Sequence, residues 1–286
     1  MSKLTDTLRF SDAQEQFASA RLWELFDGDR ERLNIAHECM DRRARTDGER
    51  TAVIVAHADG HDESLSFAEL ADASSRFAHH FEALGVRPGD RIAIMLEPSL
   101  AFYAALFGAI KCGAIAVPLF TLFGPDGIRL RVDDCAPRLL VTNAEKAPQC
   151  DGLAGVEVIV ADAPLSQALV AHPTHYEPHT RADDLAIFQY TSGTTRELPE
   201  AVKHSHRAIV TLMVAALYGI GLRPGDRYFC PSSPAWGTAC GTARWRHWHW
   251  ASRSAPTPAA SMPSGCCARS PNTVSPTSRP RPRTTE

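Results

Sequence analysis

The densest run of chemistry-bearing residues is Thr191-Ser192-Gly193-Thr194-Thr195, which follows directly on the apolar stretch Leu185–Tyr190. Thr and Ser hydroxyls donate hydrogen bonds, and a glycine lets the backbone approach an anion with no Cβ in the way. Successive N–H groups in such a turn form an anion-binding concavity. The chemistry this suggests is a grip on phosphate oxygens. The same composition also fits a polar surface turn. It is not the Gly-x-x-x-x-Gly-Lys-Ser/Thr phosphate loop, because the chain contains no Gly-Lys-Ser/Thr. His204 and His206 lie two apart, on one face of a strand. They read as polar residues beside the loop, since two imidazoles rarely suffice for a metal site. Asp133-Asp134 and Asp183-Asp184 read as solvated turns or helix ends.

Loops that hold ligands need strands to position them. Apolar runs predict strands at 52–56, 65–67, 91–96, 114–118, 139–141, 156–160, 185–190 and 228–230. Helical periods predict helices over 11–26, about 68–84, 100–112, 125–135 and about 206–219. Gly85 caps the second of these, and the third is apolar nearly all round, hence buried. Strand and helix alternate, so the fold class is α/β, with a mostly parallel sheet and helices on both faces. Ligands in such folds bind at the carboxyl ends of the strands, where 191–195 would lie. Gly85-Val86-Arg87-Pro88-Gly89-Asp90-Arg91 and Gly221-Leu222-Arg223-Pro224-Gly225-Asp226-Arg227 nearly match. They are either a recurrent helix-to-strand turn or the mark of two similar subdomains.

The 286 residues carry a formal charge of −3 and 44% hydrophobic residues, which excludes wholesale disorder and gives no basic footprint for nucleic acid. No apolar run reaches the roughly 18 residues of a membrane span, and the start lacks a signal peptide's apolar stretch, so the expectation is a cytoplasmic protein. The eight cysteines are scattered and form no Cys-x-x-Cys pair, which predicts reduced, half-buried thiols.

With these residues in view, the chain resembles the AMP-dependent synthetase family of adenylate-forming enzymes, which includes acyl-CoA synthetases, luciferases and peptide-synthetase adenylation domains. Tyr190–Thr195 resembles the family's Tyr-Thr-Ser-Gly-Thr-Thr-Gly-x-Pro-Lys loop, and Ala201-Val202-Lys203-His204 its following stretch. Leu65-Ser66-Phe67-Ala68-Glu69-Leu70 is similar to the early Leu-Thr-Tyr-x-Glu-Leu motif. Lys111-Cys112-Gly113 through Pro118 is similar to Lys-x-Gly-x-x-x-x-Pro. Asn34-Ile35-Ala36-His37 and Asp41-Arg42 look like the acyl-CoA synthetase branch. The likeness covers roughly 30–237. After Thr195 the chain departs, reading Arg196-Glu197-Leu198-Pro199-Glu200, one residue longer and without the family's glycine and lysine. Arg196 can replace the lysine on the phosphates, with Glu200 facing out.

The resemblance implies a two-step ligase. A carboxylic acid attacks ATP, releasing pyrophosphate, and the acyl-adenylate then reacts with coenzyme A. Thr191, Ser192, Gly193, Thr194, Thr195 and Arg196 would bind the ATP phosphates, with Mg²⁺ offsetting their charge. Trp236 either walls the acyl pocket or packs the sheet. The family's catalytic lysine and its magnesium-binding glutamate are not found in this chain. The alternative is therefore a catalytically inactive fragment that at most binds nucleotide or a partner weakly. A peptide-synthetase adenylation domain is a further reading. The acid and the oligomeric state are not legible.

The resulting domain expectation is an N-terminal extension over 1–30, a partial adenylation domain over 31–237 and a disordered or out-of-frame tail over 238–286. The tail holds seven Arg, one Glu, and no Lys, Asp, Leu, Ile, Phe or Tyr. Read from the third base of the His247 codon, His-Trp-His-Trp-Ala becomes Leu-Ala-Leu-Gly whatever synonymous codons are used. That apolar string favours a frameshift near Gly237 over a natural Pro/Ser/Arg-rich tail, a metal site or an RNA-binding tail.

Overall fold

The structure, a computed structural model, describes residues 3–7, 9–57, 60–190 and 200–228. The chain divides into a unit of Met1–Pro256 and a second of Thr257–Glu286, and the second lies wholly outside the described residues. Near the amino end, helix α1 (Phe10–Gln16) stops at Phe17, and a 3-10 stretch, Ser19–Leu25, follows. The apolar period over 11–26 predicts one continuous helix, so the break is a correction. Phe17 sets its ring edge-on against Tyr218, with 5.7 Å between centroids, while Leu22 packs into the core. A π-helical turn, His37–Asp41, then runs into α2 (Arg42–Asp47). Strands β1 (Thr51–Ala56) and β2 (Asp62–Ser66) pair as an antiparallel ribbon.

Helix α3 (Phe67–Ala83) begins at Ser66 with a capping box. The Glu69 amide donates to Ser66 Oγ at 3.1 Å, and the Ser66 amide donates to Glu69 Oε2 at 2.7 Å. Two otherwise unsatisfied amides are thus bonded reciprocally. Leu65, Phe67 and Leu70 are buried beside them. The 65–70 motif is therefore a helix-starting device, with alternate residues assigned to cap and core.

Next come β3 (Arg91–Met95), α4 (Leu100–Lys111), β4 (Ile115–Pro118), α5 (Pro125–Cys135), β5 (Leu139–Thr142), β6 (Glu157–Val160), α6 (Ala163–Val170), β7 (Leu185–Tyr190), β8 (Ala201–Ser205) and α7 (Ala208–Val214). The main sheet has the order β6-β5-β3-β4-β7-β8. Its pairs are parallel except β7–β8, which is antiparallel. Strand interiors are apolar on both faces, as a covered parallel sheet requires. Ile92, Ile94, Ala116, Leu139, Val141 and Ile187 join α3, α4 and α7 in one cluster. Ala93, Met95, Val117, Leu140, Phe188 and Tyr190 join α5 in the other. Alternation along each strand divides the two layers.

Helix α4 is buried from Phe102 through Lys111, and it lies against α3 at a close crossing. A Cβ on Gly108 would stand 2.6 Å from Phe77 Cβ and 2.9 Å from the Ser74 carbonyl oxygen, so only glycine admits this approach. Gly113 ends α4 with φ +77, and the Ala114 amide reaches back to the Ala109 carbonyl at 2.9 Å. The Lys-x-Gly motif thus supplies a helix stop, and Pro118 closes β4.

Several expectations shift by local detail. The last helix begins at Ala208, not 206, and ends in a π-helical stretch, Ala215–Ile220. Tyr228 is irregular, and the rest of the expected 228–230 strand lies outside the described residues. Cys39, Cys112, Cys135 and Cys150 are free and buried rather than half-buried. Burial pushes the Cys112 thiol up to about 12 and the Cys135 thiol up to about 11. The echoed segments share one turn. The Arg87 amide donates to Asp90 Oδ2 at 2.9 Å, and the Arg223 amide to Asp226 Oδ2 at 2.7 Å. Each is the same side-chain-clamped turn after a helix.

Candidate functional site

Parallel β3, β4, β5, β6 and β7 bring their carboxyl ends to one lip of the sheet, and the expected loop leaves from β7 at that lip. Thr191, Ser192, Gly193, Thr194, Thr195, Arg196 and Trp236 all lie outside the described residues. Their two anchors are described. Tyr190 ends β7 and pairs with Ala201, the first residue of β8. The intervening segment therefore starts and finishes at adjacent positions, as a hairpin loop does. Glu200, just before β8, is exposed.

Tyr190 is buried, and its hydroxyl donates to Asp134 Oδ2 at 2.6 Å and approaches the Arg131 carbonyl at 3.1 Å. Burial first, then the Asp134 hydrogen bond, raises the phenol's pKa well above its ordinary value. Arg131 is nearly buried and lays its guanidinium 3.6 Å from the Phe123 ring centroid and 5.6 Å from that of Tyr190. Such stacking suits a weakly hydrated, delocalised cation. Burial pulls the Arg131 pKa down. The root of the loop is thus locked to α5. Neighbouring strands are tied across the lip as well: Thr142 Oγ1 donates to the Met95 carbonyl at 3.1 Å, and Thr121 Oγ1 donates to Glu97.

The histidines beside the loop separate in role. His204 is half-buried on β8, and burial lowers its pKa. His206 is wholly buried, and its Nδ1 accepts the Ile35 amide at 3.1 Å. Burial holds its pKa down at about 4, so the ring is neutral near pH 7. The bond attaches the segment after β8 to the start of the π-helical turn. Asp183 pairs with Arg207 at 2.9 Å, and Asp184 Oδ2 accepts the Arg181 amide at 2.7 Å. These are turn-forming carboxylates. Asp134 sits at a helix end, but it also carries the Tyr190 contact.

Further motif residues prove to be braces on the opposite lip. Asn34 Oδ1 accepts the Ala36 and His37 amides, while its Nδ2 donates to the Ile110 carbonyl at 2.9 Å and Thr180 Oγ1 at 3.1 Å. Lys111, 1% exposed, pairs with Asp41 at 2.7 Å and donates to the Ala71 carbonyl and Ser75 Oγ at 3.0 Å each. Burial lowers its pKa against the opposing pull of Asp41. Arg42 holds the fully buried Glu38 at 2.9 Å, and the Asp27 and Gly28 amides donate to the same carboxylate. Sequence reasoning missed Arg131 and the Tyr190–Asp134 bond. The available signal was the apolar–charged mixture of α5, in which Arg131 falls on the same face as Ile128, Val132 and Cys135.

A family model described as AMP-binding enzyme matches residues 40–258. The chain is 31% identical over 224 residues to the 3-hydroxybenzoate–CoA/4-hydroxybenzoate–CoA ligase of Thauera aromatica, covering 73% of this chain and 42% of that protein. It is 28% identical over 221 residues to the acetyl-coenzyme A synthetase of Bacillus subtilis (strain 168), covering 72% and 38%. Among solved structures, it resembles an acyl-CoA synthetase from Brucella canis with a TM-score of 0.75 and 28% identity, covering 87% of this chain and 48% of that one. The chain thus spans less than half the length of each of these proteins.

Proposed function

Because the chain belongs to the AMP-binding enzyme family, we propose that it is the nucleotide-gripping part of an AMP-forming acid–thiol ligase. A carboxylic acid and ATP would give an acyl-adenylate and pyrophosphate, and coenzyme A would then take the acyl group. The observation that carries this reading is the Tyr190–Ala201 pairing at the sheet's carboxyl lip. It places both ends of the hydroxyl-rich segment where an α/β sheet receives a ligand. Thr191, Ser192, Gly193, Thr194 and Thr195 would donate to the ATP phosphates, and Arg196 would supply the positive charge that Glu200 does not. The chain's own contribution is positioning and charge stabilisation. Mg²⁺ would arrive with the nucleotide. Among the described residues no three His, Cys, Asp or Glu side chains converge on one point.

The proposal takes residues 31–237 as a partial adenylation domain and 238–286 as read out of frame. The family match itself runs to residue 258. The nucleotide sequence downstream of Gly237 tests the second part; a shifted frame that meets a stop at once would end it. A cytoplasmic location and a small carboxylic acid as substrate belong to the same proposal. Among the described residues no helix is long and apolar enough to cross a membrane.

Two assays on the full chain separate the readings. Pyrophosphate release from ATP with an aromatic or aliphatic acid establishes the ligase. Nucleotide binding without release establishes the inactive-fragment alternative. A chain that shows no nucleotide binding and no pyrophosphate release would overturn the proposal.

A further inference from the structure

Five hydrogen bonds fasten the end of α6 and the connecting segment after it to helix α3, and two imidazoles sit among them. The segment, residues 171–177, leaves α6 and leads towards β7. Arg76 donates to the Leu169 and Val170 carbonyls at 3.2 and 2.6 Å, at the segment's entrance. One turn further along α3, His80 Nδ1 lies 3.2 Å from His172 Nε2. His79 Nε2 lies 2.9 Å from the His175 carbonyl oxygen, and the Tyr176 hydroxyl donates to Glu82 Oε1 at 2.6 Å. His79 also meets Tyr176 edge-on at 4.9 Å, and His80 meets His172 edge-on at 5.3 Å. Beyond the segment the chain is pinned separately. Thr180 Oγ1 donates to the Leu33 carbonyl at 2.8 Å, and the Ala182 amide to the Glu31 carbonyl at 2.9 Å.

We propose that residues 171–177 form an acid-sensitive strap whose clasp is the hydrogen bond shared by His80 and His172. Two neutral imidazoles share one proton across 3.2 Å, one as donor and the other as acceptor. A single added proton leaves that bond intact. When both rings are charged, two N–H groups face each other and the clasp opens. The surrounding charges set the balance. Glu157 on β6 favours a charged His80, while burial and His172 oppose it, so the His80 pKa lies below its usual value. Glu82 lies 3.9 Å from His79, and Glu177 lies 3.8 Å from His175; both carboxylates stand by rings outside the clasp. Arg76 holds the Leu169 and Val170 carbonyls at the end of α6, outside the clasp. A group with a lowered folded pKa contributes above its unfolded value, and that contribution is lost as pH falls below about 6.5. The strap is therefore closed at neutral pH and opens in acid, while its downstream anchors at Thr180 and Ala182 stay in place.

Amide hydrogen exchange on the full chain at about pH 7.5 and about pH 5 tests this. After correction for the intrinsic exchange rate, protection in 171–177 should fall about tenfold in acid, with β3–β5 unchanged. In His172→Phe, which keeps the ring packing and removes the hydrogen bond to His80, that pH dependence should vanish. A wild-type strap equally protected at both values, or the same drop in His172→Phe, would overturn the proposal. If His172→Phe does not fold, an NMR titration of the wild-type imidazoles decides. Coupled, two-step titration of His80 and His172 supports the clasp, and independent single-step titration contradicts it.

Discussion

Lys111 is sealed from solvent, yet its ammonium keeps three partners: Asp41, the Ala71 carbonyl and Ser75 Oγ. Removing one member of such a buried pair leaves the other charge uncompensated, which costs about 3–5 kcal/mol, whereas replacing both by apolar groups can be neutral. Lys111→Ala should therefore lower the urea unfolding free energy by about 3 kcal/mol, and Lys111→Met with Asp41→Leu should recover most of the loss. A double variant as unstable as the single one would show that Lys111 acts through packing alone. His206 gives a second test, through pH. Its folded pKa of about 4 lies below the unfolded value. Its stabilisation is thus complete above about pH 6.5 and lost as pH falls towards about 4, amounting to about 3 kcal/mol. Stability measured across that window should fall more steeply in the wild type than in His206→Gln. Parallel curves would remove His206 from the acid sensitivity.

Elements here are placed by a few close approaches, and these decide what the sequence could disclose. The crossing of α3 on α4 depends on Gly108, where a Cβ would strike Phe77 and the Ser74 carbonyl. Gly108→Ala should force the helices apart and lower stability by about 2–3 kcal/mol, read as a shift in the denaturation midpoint. A change under about 0.5 kcal/mol would mean the crossing is slack. Most strands and helices were legible because their apolar periods are strong and local, as in Arg91–Met95 and Phe67–Ala83. The break after α1 was not, and the ring that Phe17 meets there belongs to Tyr218, far along the chain. The antiparallel edge strand β8 was half hidden by Lys203 and His204, since a strand with one exposed face carries few apolar residues. The 65–70 motif was legible as a likeness, but its Ser66–Glu69 capping box is visible only as hydrogen bonds. The loop's composition pointed to phosphate chemistry, whereas the Tyr190–Asp134 bond that roots it joins residues with no sequence pattern in common.

Across the whole molecule, the motifs that resemble the family divide into one that would touch ligand and several that brace. Asn34, Asp41, Arg42, Ser66, Glu69, Lys111 and Gly113 all hold helices, turns or helix ends. Tyr190 and Ala201 pair at the sheet's carboxyl lip and flank the hydroxyl-rich residues 191–195, which would hold the phosphates in the proposed reading. The chain covers 42% of its hydroxybenzoate–CoA ligase relative and 48% of the acyl-CoA synthetase structure, so nucleotide grip and full turnover are separate questions. The most direct measurement compares the affinity of the full chain for Mg-ATP and for AMP by calorimetry, in the wild type and in Arg196→Ala and Gly193→Val. ATP should bind more tightly than AMP, because the hydroxyl-rich loop would hold the β- and γ-phosphates. Each substitution should weaken ATP about tenfold or more while leaving AMP nearly unchanged. Equal affinity for ATP and AMP in the wild type, or an ATP affinity untouched by both substitutions, would contradict a triphosphate grip at this lip.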